Sequence, residues 1–344
     1  MVAHDEDGRP VQGDNRAGRP ALPLAARAGP ASSPGAGSVA AVSEHVADRL
    51  ADAVARRESQ VVLGLDPDPA RLWRHAVAGV PDHGTAAHRA GAAVTAHCAA
   101  LIDAAGPACV AVKPQLACFE RLGAPGWAAL EATVAHTRQA GLLVLADGKR
   151  GDVPVTAGAY AQALFTATPT PFGDVPGLAA DLATANPLLG EDALVPLVDA
   201  ARAAGAGLIA LVRTSNPGAA DVQDLMVDGA PLWEHLAGLV AGLGRPGPRS
   251  GLADVGAVLG ATRPEHLARA RELMPAAPFL LTGVGAQGGG VEDLLPAFAA
   301  GRAGGLVTAS RSIALAHESA GGPPARAARA EAERLRASAW ALVA

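Results

Sequence analysis

Eight short apolar runs recur along the chain, spaced to leave room for about one helix between each pair. They read "VVLGLD" (61–66), "CVAVKP" (109–114), "LLVLAD" (142–147), "DLATAN" (181–186), "GLIALV" (207–212), "VGAVLG" (255–260), "FLLTGV" (279–284) and "GLVTAS" (305–310). Short runs that are apolar throughout, rather than alternating, are what strands buried on both faces look like. The segments between most of them, such as 85–104, 126–140 and 263–273, are rich in Ala, Leu, Arg and Glu at helical spacing. Alternation of strand and helix predicts parallel strands joined by crossover helices. Eight such units in about 300 residues predict a (β/α)8 TIM barrel, with a doubly wound open sheet as the runner-up. The fourth run, with its Ala and Thr, carries the weakest strand signature.

Outside these repeats the chain divides simply. Residues 1–40 are rich in Pro, Gly, Ala and Ser, a composition that cannot offset the entropy of ordering, and are expected to be a disordered tail. The barrel domain is expected over 41–344, led by an amphipathic helix from Val39 to about Glu58. Two stretches, "TATPTPFGDVPG" (166–177) and "LGRPGPRSGLAD" (243–254), read as Pro/Gly-rich surface insertions.

Composition excludes several partners. A net charge of −5 without a long basic run argues against nucleic acid, which requires concentrated Lys and Arg. No stretch reaches the roughly 18 apolar residues needed to cross a bilayer. The acidic start "MVAHDEDGRP" is unlike a secretory signal. Three cysteines, Cys98, Cys109 and Cys118, lack CxxC spacing and lie in apolar segments, which fits buried thiols in a reducing compartment. A cytoplasmic enzyme is the expectation.

Only two of the 28 basic residues are lysines, Lys113 and Lys149. Arginine serves surface pairing and solubility equally well, so a chain that otherwise avoids lysine points to a need for a compact ammonium able to give up its proton, which a guanidinium does not do in proteins. Both lysines fall at the ends of adjacent predicted strands, and the C-terminal ends of barrel strands are where catalytic groups sit. Asp66, Asp147, "RTSN" after the fifth strand and "ASRS" after the eighth lie at other strand ends. Asp147 and Lys149 are two residues apart and, in extended backbone, face the same side. With Lys113, and with Asp152 beyond Gly151, they make two cations and two anions able to hold one another at a half-buried mouth. An ordinary buried ion network is the bland alternative. A second constellation follows the seventh strand, where "TGVGAQGGGVEDLLPAF" runs through a glycine-rich turn into an apparent helix. Bare N–H groups there favour a phosphate, and Arg311 at the next strand end could clamp it.

These motifs together resemble the orotidine 5′-phosphate decarboxylase family, in particular a longer bacterial subgroup, over roughly residues 55–318. The carriers are "GLDPDP" (64–69), "AVKPQLACFERLG" (111–123), "DGKRGDVPVTAGAYA" (147–161), "ANPLLGEDAL" (185–194), "VRTSNPGAADVQDL" (212–225), "GVGAQGG" (283–289) and "SRSI" (310–313). The resemblance implies cofactor-independent and metal-free decarboxylation of orotidine 5′-phosphate to uridine 5′-phosphate by a homodimer with shared active sites. It implies a charged tetrad of Lys113, Asp147, Lys149 and Asp152, the last supplied by the partner subunit. Asp66 would hold the ribose, Thr156 would reach across from the partner, Ser215 would contact the pyrimidine, and Gln287 and Arg311 would bind the phosphate. Gly148 where the family has Ala, and Ser before Arg311 where relatives outside the subgroup have Gly, depart from its pattern. The rival readings are a metal-dependent sugar-phosphate decarboxylase or aldolase of the same suprafamily and a non-catalytic barrel that binds a phosphate ligand. No histidine is assigned to catalysis; Trp73, Trp127, Trp233 and Trp340 are expected to pack helices, and Tyr160 to support the helix after the tetrad.

Overall fold

Each of the eight apolar runs forms a strand. A computed structural model describes residues 44–261, 263–283 and 291–343, and within them lie β1 (Val61–Leu65), β2 (Ala111–Pro114), β3 (Leu143–Arg150), β4 (Leu182–Ala185), β5 (Gly207–Arg213), β6 (Val255–Gly260), β7 (Phe279–Thr282) and β8 (Gly305–Ala309). Every strand pairs in parallel with its sequence neighbours, and β1 pairs with both β2 and β8, so the sheet closes. An open doubly wound sheet would have two free edges; this one has none.

The closed sheet explains why the runs are apolar throughout. Val62, Ala111, Leu145, Leu182, Ile209, Val258, Leu280 and Leu306, one from each strand, pack in a single cluster. Val46, Leu50 and Val54 of α1 (Val46–Arg57) join that cluster and plug the N-terminal end of the barrel. The neighbouring strand positions, among them Leu63, Val112, Val144, Ala183, Leu208 and Leu281, belong instead to the cluster shared with the surrounding helices. Successive strand residues face opposite sides, so both sides of the sheet are buried.

The helices that cover it are α2 (Ala86–Ala105), α3 (Ala124–Gln139), α4 (Pro154–Phe165), α5 (Glu191–Ala203), α6 (Leu232–Leu243), α7 (Pro264–Leu273) and α8 (Pro324–Ala341). The segment predicted as a helix after the glycine-rich turn is a 3-10 helix, Glu292–Ala300, containing Pro296. A proline there removes an N–H that an α-helix would use. The 166–177 stretch holds a two-stranded ribbon, Ala167–Thr168 against Val175–Pro176. A second ribbon, Met226–Val227 with Ala230–Pro231, turns at Asp228 and Gly229, which have φ of 48° and 86°. An Asp-Gly pair suits such a two-residue turn, and that dipeptide was the missed signal. The 243–254 stretch folds back on α1, where the N–H groups of Arg249 and Ser250 donate to Asp48. Trp73 and Trp233 are buried, and Trp127 and Trp340 pack half-buried against the core.

Arg271, on the last turn of α7, ties β7 and β8 together from below. Its guanidinium is buried, lies 3.7 Å from the centre of the Phe279 ring, and donates to the carbonyls of Met274, Pro275, Ala277, Ala297 and Gly304. Burial lowers its pKa to about 10, so the group stays charged at neutral pH. Arg271→Leu would leave these carbonyls short of a donor, each unsatisfied group costing about 1–3 kcal/mol. The expected loss is about 3 kcal/mol or more in urea unfolding, and an unchanged midpoint would contradict this role.

Candidate active site

The alternation that sends Val62, Ala111, Leu145, Leu182, Leu280 and Leu306 into the barrel continues upward in the same register. It brings Asp66, Lys113, Gln115, Asp147, Thr184, Thr282 and Thr308 to the C-terminal mouth. An apolar plug therefore lies under a polar layer built from the same strands.

Asp147 is the centre of that layer. Its Oδ2 accepts from Lys113 Nζ at 2.6 Å and from Gln115 Nε2 at 3.1 Å, and its Oδ1 from Lys149 Nζ at 2.7 Å and Thr184 Oγ1 at 2.8 Å. Both oxygens carry two donors each. Burial alone would raise the Asp147 pKa, but the Lys113 and Lys149 charges and their hydrogen bonds outweigh it and hold the carboxyl at about 2. Burial likewise opposes the charge on Lys113, and the Asp147 and Asp66 carboxylates reverse this, so its pKa is raised. Asp66 Oδ1 lies 3.9 Å from Lys113 Nζ, and within this chain Asp66 supplies the second anion of the cluster.

The two lysines differ in reach. The Lys113 side chain is 6% exposed and locked between carboxylates, while that of Lys149 is 43% exposed. Lys149 is therefore the more exposed of the two, whereas Lys113 lines the cavity beside the cluster. The sequence-based expectation of extended backbone at Lys149 is corrected: its φ is 50°, and the β3–β4 pairing shifts between Ala146 and Arg150. The Lys149 N–H donates to Thr184 Oγ1 at 2.8 Å. The ammonium still meets Asp147, although through a left-handed bend.

A cavity of about 260 Å³ opens beside this cluster, lined by Asp66, Lys113, Gln115, Thr282, Ser310 and Arg311 among others. Asp66 and Arg311 thus face one space. Ser215 lies at its edge, with Thr282 Oγ1 3.4 Å from Ser215 Oγ. Gly260 allows that approach, since a Cβ there would come within 2.9 Å of Ser215 Cα. The loop carrying Ser215 is braced by a two-pronged Arg213–Asp224 pair at 2.7 and 2.9 Å and by Gln223 Oε1, which accepts the Thr214 N–H at 2.8 Å.

Asp152 does not join the cluster within one chain. Its Oδ1 accepts the Val153 N–H at 2.8 Å, and no ion pair reaches it among the described residues. Thr156 is exposed on the first turn of α4. Gln287 and most of the glycine-rich turn lie outside the described residues. At Gly148, a departure from the resembled pattern, an added Cβ would meet the tip of the Leu116 side chain, Cδ2, at 2.9 Å, a contact that side chain could relieve by shifting. The guanidinium of Arg150 stacks 5.5 Å from the Tyr160 ring, which gives Tyr160 the supporting position expected of it. Cys98 and Cys109 are buried, with thiol pKa values pushed up to about 12 by burial, whereas Cys118 is only half-buried.

Sequence reasoning missed Gln115 and Thr184. The signal existed: Gln115 is two residues past Lys113 on the same side, and Thr184 is the only polar residue in "LATA". The hydroxyl that weakened the fourth strand's signature is a hydrogen-bond donor to the Asp147 carboxylate.

Comparison with known proteins identifies the family of this chain. The family model described as Orotidine 5′-phosphate decarboxylase / HUMPS family matches residues 59–329. The orotidine 5′-phosphate decarboxylase of Rhodopirellula baltica is 40% identical over 276 residues, covering 79% of this chain and 89% of that protein. Its counterpart in Deinococcus radiodurans is 46% identical over 218 residues, covering 62% of this chain and 74% of that one. The solved structure of Leishmania donovani OMP decarboxylase superposes with a TM-score of 0.61 at 31% identity, covering 84% of this chain and 98% of the other.

The depressed pKa of Asp147 has a testable sign. Its carboxylate is stabilised in the folded protein from an ordinary 3.8 to about 2, worth roughly 2 kcal/mol. That contribution is fully present above about pH 4 and is lost as pH falls towards about 2. In Asp147→Asn this part of the acid dependence should vanish, leaving a shallower decline of unfolding midpoint with acid than in the wild type. Equal acid slopes for the two proteins would contradict the assignment.

Proposed function

The chain belongs to the orotidine 5′-phosphate decarboxylase / HUMPS family, and from that premise we propose that it is a carboxy-lyase that converts orotidine 5′-phosphate to uridine 5′-phosphate, a step of pyrimidine nucleotide biosynthesis, without a cofactor. The observation that carries this reading is the saturated Asp147 carboxylate between two ammonium groups, one on an enclosed side chain and one on a half-exposed side chain.

Loss of CO₂ from C6 leaves an electron pair in the plane of the pyrimidine ring, where the ring cannot delocalise it. The enzyme must supply on the order of 20 kcal/mol of barrier reduction. The residues can act on both partners of the breaking bond. Asp147, with all four hydrogen-bonding positions occupied, cannot swing away from a substrate carboxylate placed beside it, so two anions are pressed together in the ground state and separate as CO₂ leaves. Lys149 faces the developing carbanion, stabilises it and delivers the proton to C6. Lys113 keeps Asp147 ionised. These are charges oriented before the substrate arrives.

Binding at the far end completes the scheme. Arg311 shares the cavity with Asp66 and is assigned to the phosphate together with Gln287. Asp66 is assigned to the ribose and Ser215 to the pyrimidine. Binding energy gained at the phosphate, remote from C6, is then available for reaching the transition state.

The fourth charge, Asp152, is assigned to the partner of a homodimer, with Thr156 beside it. Val153 and Val155 next to Asp152, and Leu188 and Leu189 at the adjacent strand end, are exposed apolar side chains, a surface that a second copy would cover. A metal-dependent sugar-phosphate enzyme is disfavoured by Lys113, whose ammonium lies between the Asp66 and Asp147 carboxylates where a divalent cation would need to bind. Among the described residues no helix is long and apolar enough to cross a membrane.

Release of CO₂ from orotidine 5′-phosphate tests the assignment directly, and its absence in pure wild-type protein would remove it. Lys149→Arg keeps a cation but no transferable proton, so kcat should fall by about 10³-fold or more with folding intact; near-normal turnover would remove the proton-donor role. Mixing inactive Lys113→Ala with inactive Asp152→Ala subunits should restore activity, because one site of each mixed dimer is whole. No recovery despite demonstrated subunit exchange would refute a shared site.

A further inference from the structure

Thr184 is uncharged, buried on β4 and 1% exposed, yet two parts of the proposed chemistry meet at its hydroxyl. Oγ1 accepts the backbone N–H of Lys149 at 2.8 Å and donates its own proton to Asp147 Oδ1 at 2.8 Å. The same Oδ1 accepts from Lys149 Nζ at 2.7 Å. One hydroxyl, one carboxylate oxygen and one lysine therefore close a ring in which the lysine is held at both its backbone and its tip.

The backbone at Lys149 needs such a hold. Its φ of 50° lies in the left-handed region, which residues other than Gly, Asn and Asp seldom adopt unless their surroundings enforce it. The β3–β4 ladder skips from Ala146–Ala183 to Arg150–Ala185, and across that gap the Lys149 N–H finds the Thr184 hydroxyl. Without the bend, Lys149 would continue the strand and its ammonium would leave the mouth at another angle.

We propose that Thr184 is a positioning residue whose hydroxyl, by joining the Lys149 backbone to the Asp147 carboxylate, sets the direction in which the Lys149 ammonium addresses the carbon losing CO₂. This rests on the reading that Asp147 and Lys149 carry the chemistry. Substrate binding depends on other groups, chiefly Asp66, Ser215 and Arg311, so the contribution of Thr184 falls on the chemical step.

Thr184→Val fills the same space but offers neither lone pair nor proton, leaving the Lys149 N–H and Asp147 Oδ1 one partner short. It should lower kcat by about 10²-fold, the scale seen when one preorganised donor is removed from a reacting centre. The dissociation constant for uridine 5′-phosphate should stay within about threefold of the wild type. Thr184→Ser, which keeps the hydroxyl and loses a methyl group, should recover kcat to within about tenfold. Thr184→Ala serves as the hydroxyl-free variant if the valine protein does not fold. Undiminished kcat in the hydroxyl-free variant, an equal loss of kcat in Thr184→Ser, or a fall in product affinity that matches the fall in kcat would each overturn the proposal. Wild-type protein measured alongside separates the two levels: if it releases no CO₂, the functional reading itself fails, whereas an active wild type with an unimpaired Thr184→Val defeats only the role given to Thr184.

Discussion

A carboxylate buried at the mouth of a barrel is tolerable only if donors replace the water it has lost, and in this molecule that requirement organises the site. Asp147 takes its four hydrogen bonds from three strands: Lys113 and Gln115 at the end of β2, Lys149 on β3 itself and Thr184 on β4. The contacts from Lys113, Gln115 and Thr184 cross between strands and depend on the strand pairing. A one-residue shift of β2 against β3 would turn Lys113 towards the apolar layer under the helices and leave its buried charge without a partner. The register pairing Ala111 with Leu143 and Val112 with Val144 is thus held from below by the interior plug and from above by the charges. Stability and function constrain the same strand alignment.

That coupling explains which parts of the molecule could be read from sequence. All eight strands were legible because burial on both sheet faces leaves a continuous apolar run, and the helices because their periodicity of 3.6 differs from that of the strands. The plug residues and the polar mouth residues share one parity along each strand, so Lys113, Asp147 and Asp66 could be placed once the strands were known. Other features depend on contacts between distant segments. Thr184 looks like a flaw in a strand until β3 is set beside it. The left-handed bend at Lys149 has no local signature, because lysine does not favour it; the neighbouring hydroxyl that accepts its N–H comes from another strand. The 3-10 geometry of Glu292–Ala300 was half visible in Pro296. The bracing of the Ser215 loop by Asp224 and Gln223 involves side chains nine to eleven residues away, in no fixed pattern. Asp152 is half-buried and stands apart from the Asp147 cluster within one chain, a placement that its spacing of five residues from Asp147 does not reveal.

The division of labour between the two kinds of cation follows from their chemistry. Arginine is used here as a collector of backbone carbonyls. Arg271 gathers five, Arg57 reaches those of Gly106, Cys109, Ala140 and Gly141, Arg138 holds Leu178 and Ala179, and Arg302 takes Trp340 while its guanidinium lies 3.8 Å from that ring's centre. A planar fork with five N–H donors suits the exposed carbonyls of helix and strand ends, and its permanent charge is harmless where no proton has to move.

At the mouth those qualities become faults. A guanidinium at position 113 would be too broad for the gap between Asp66 and Asp147, which a single nitrogen spans at 3.9 and 2.6 Å. At position 149 it would not release a proton, which the role proposed for that residue requires. The compact ammonium fits both places for different reasons: at 113 because it is small and can be enclosed, at 149 because it is small and can give up its proton. Composition therefore bears on mechanism here: with lysine absent elsewhere, the positions of the two that remain mark where size and acidity, rather than charge alone, decide which residue serves.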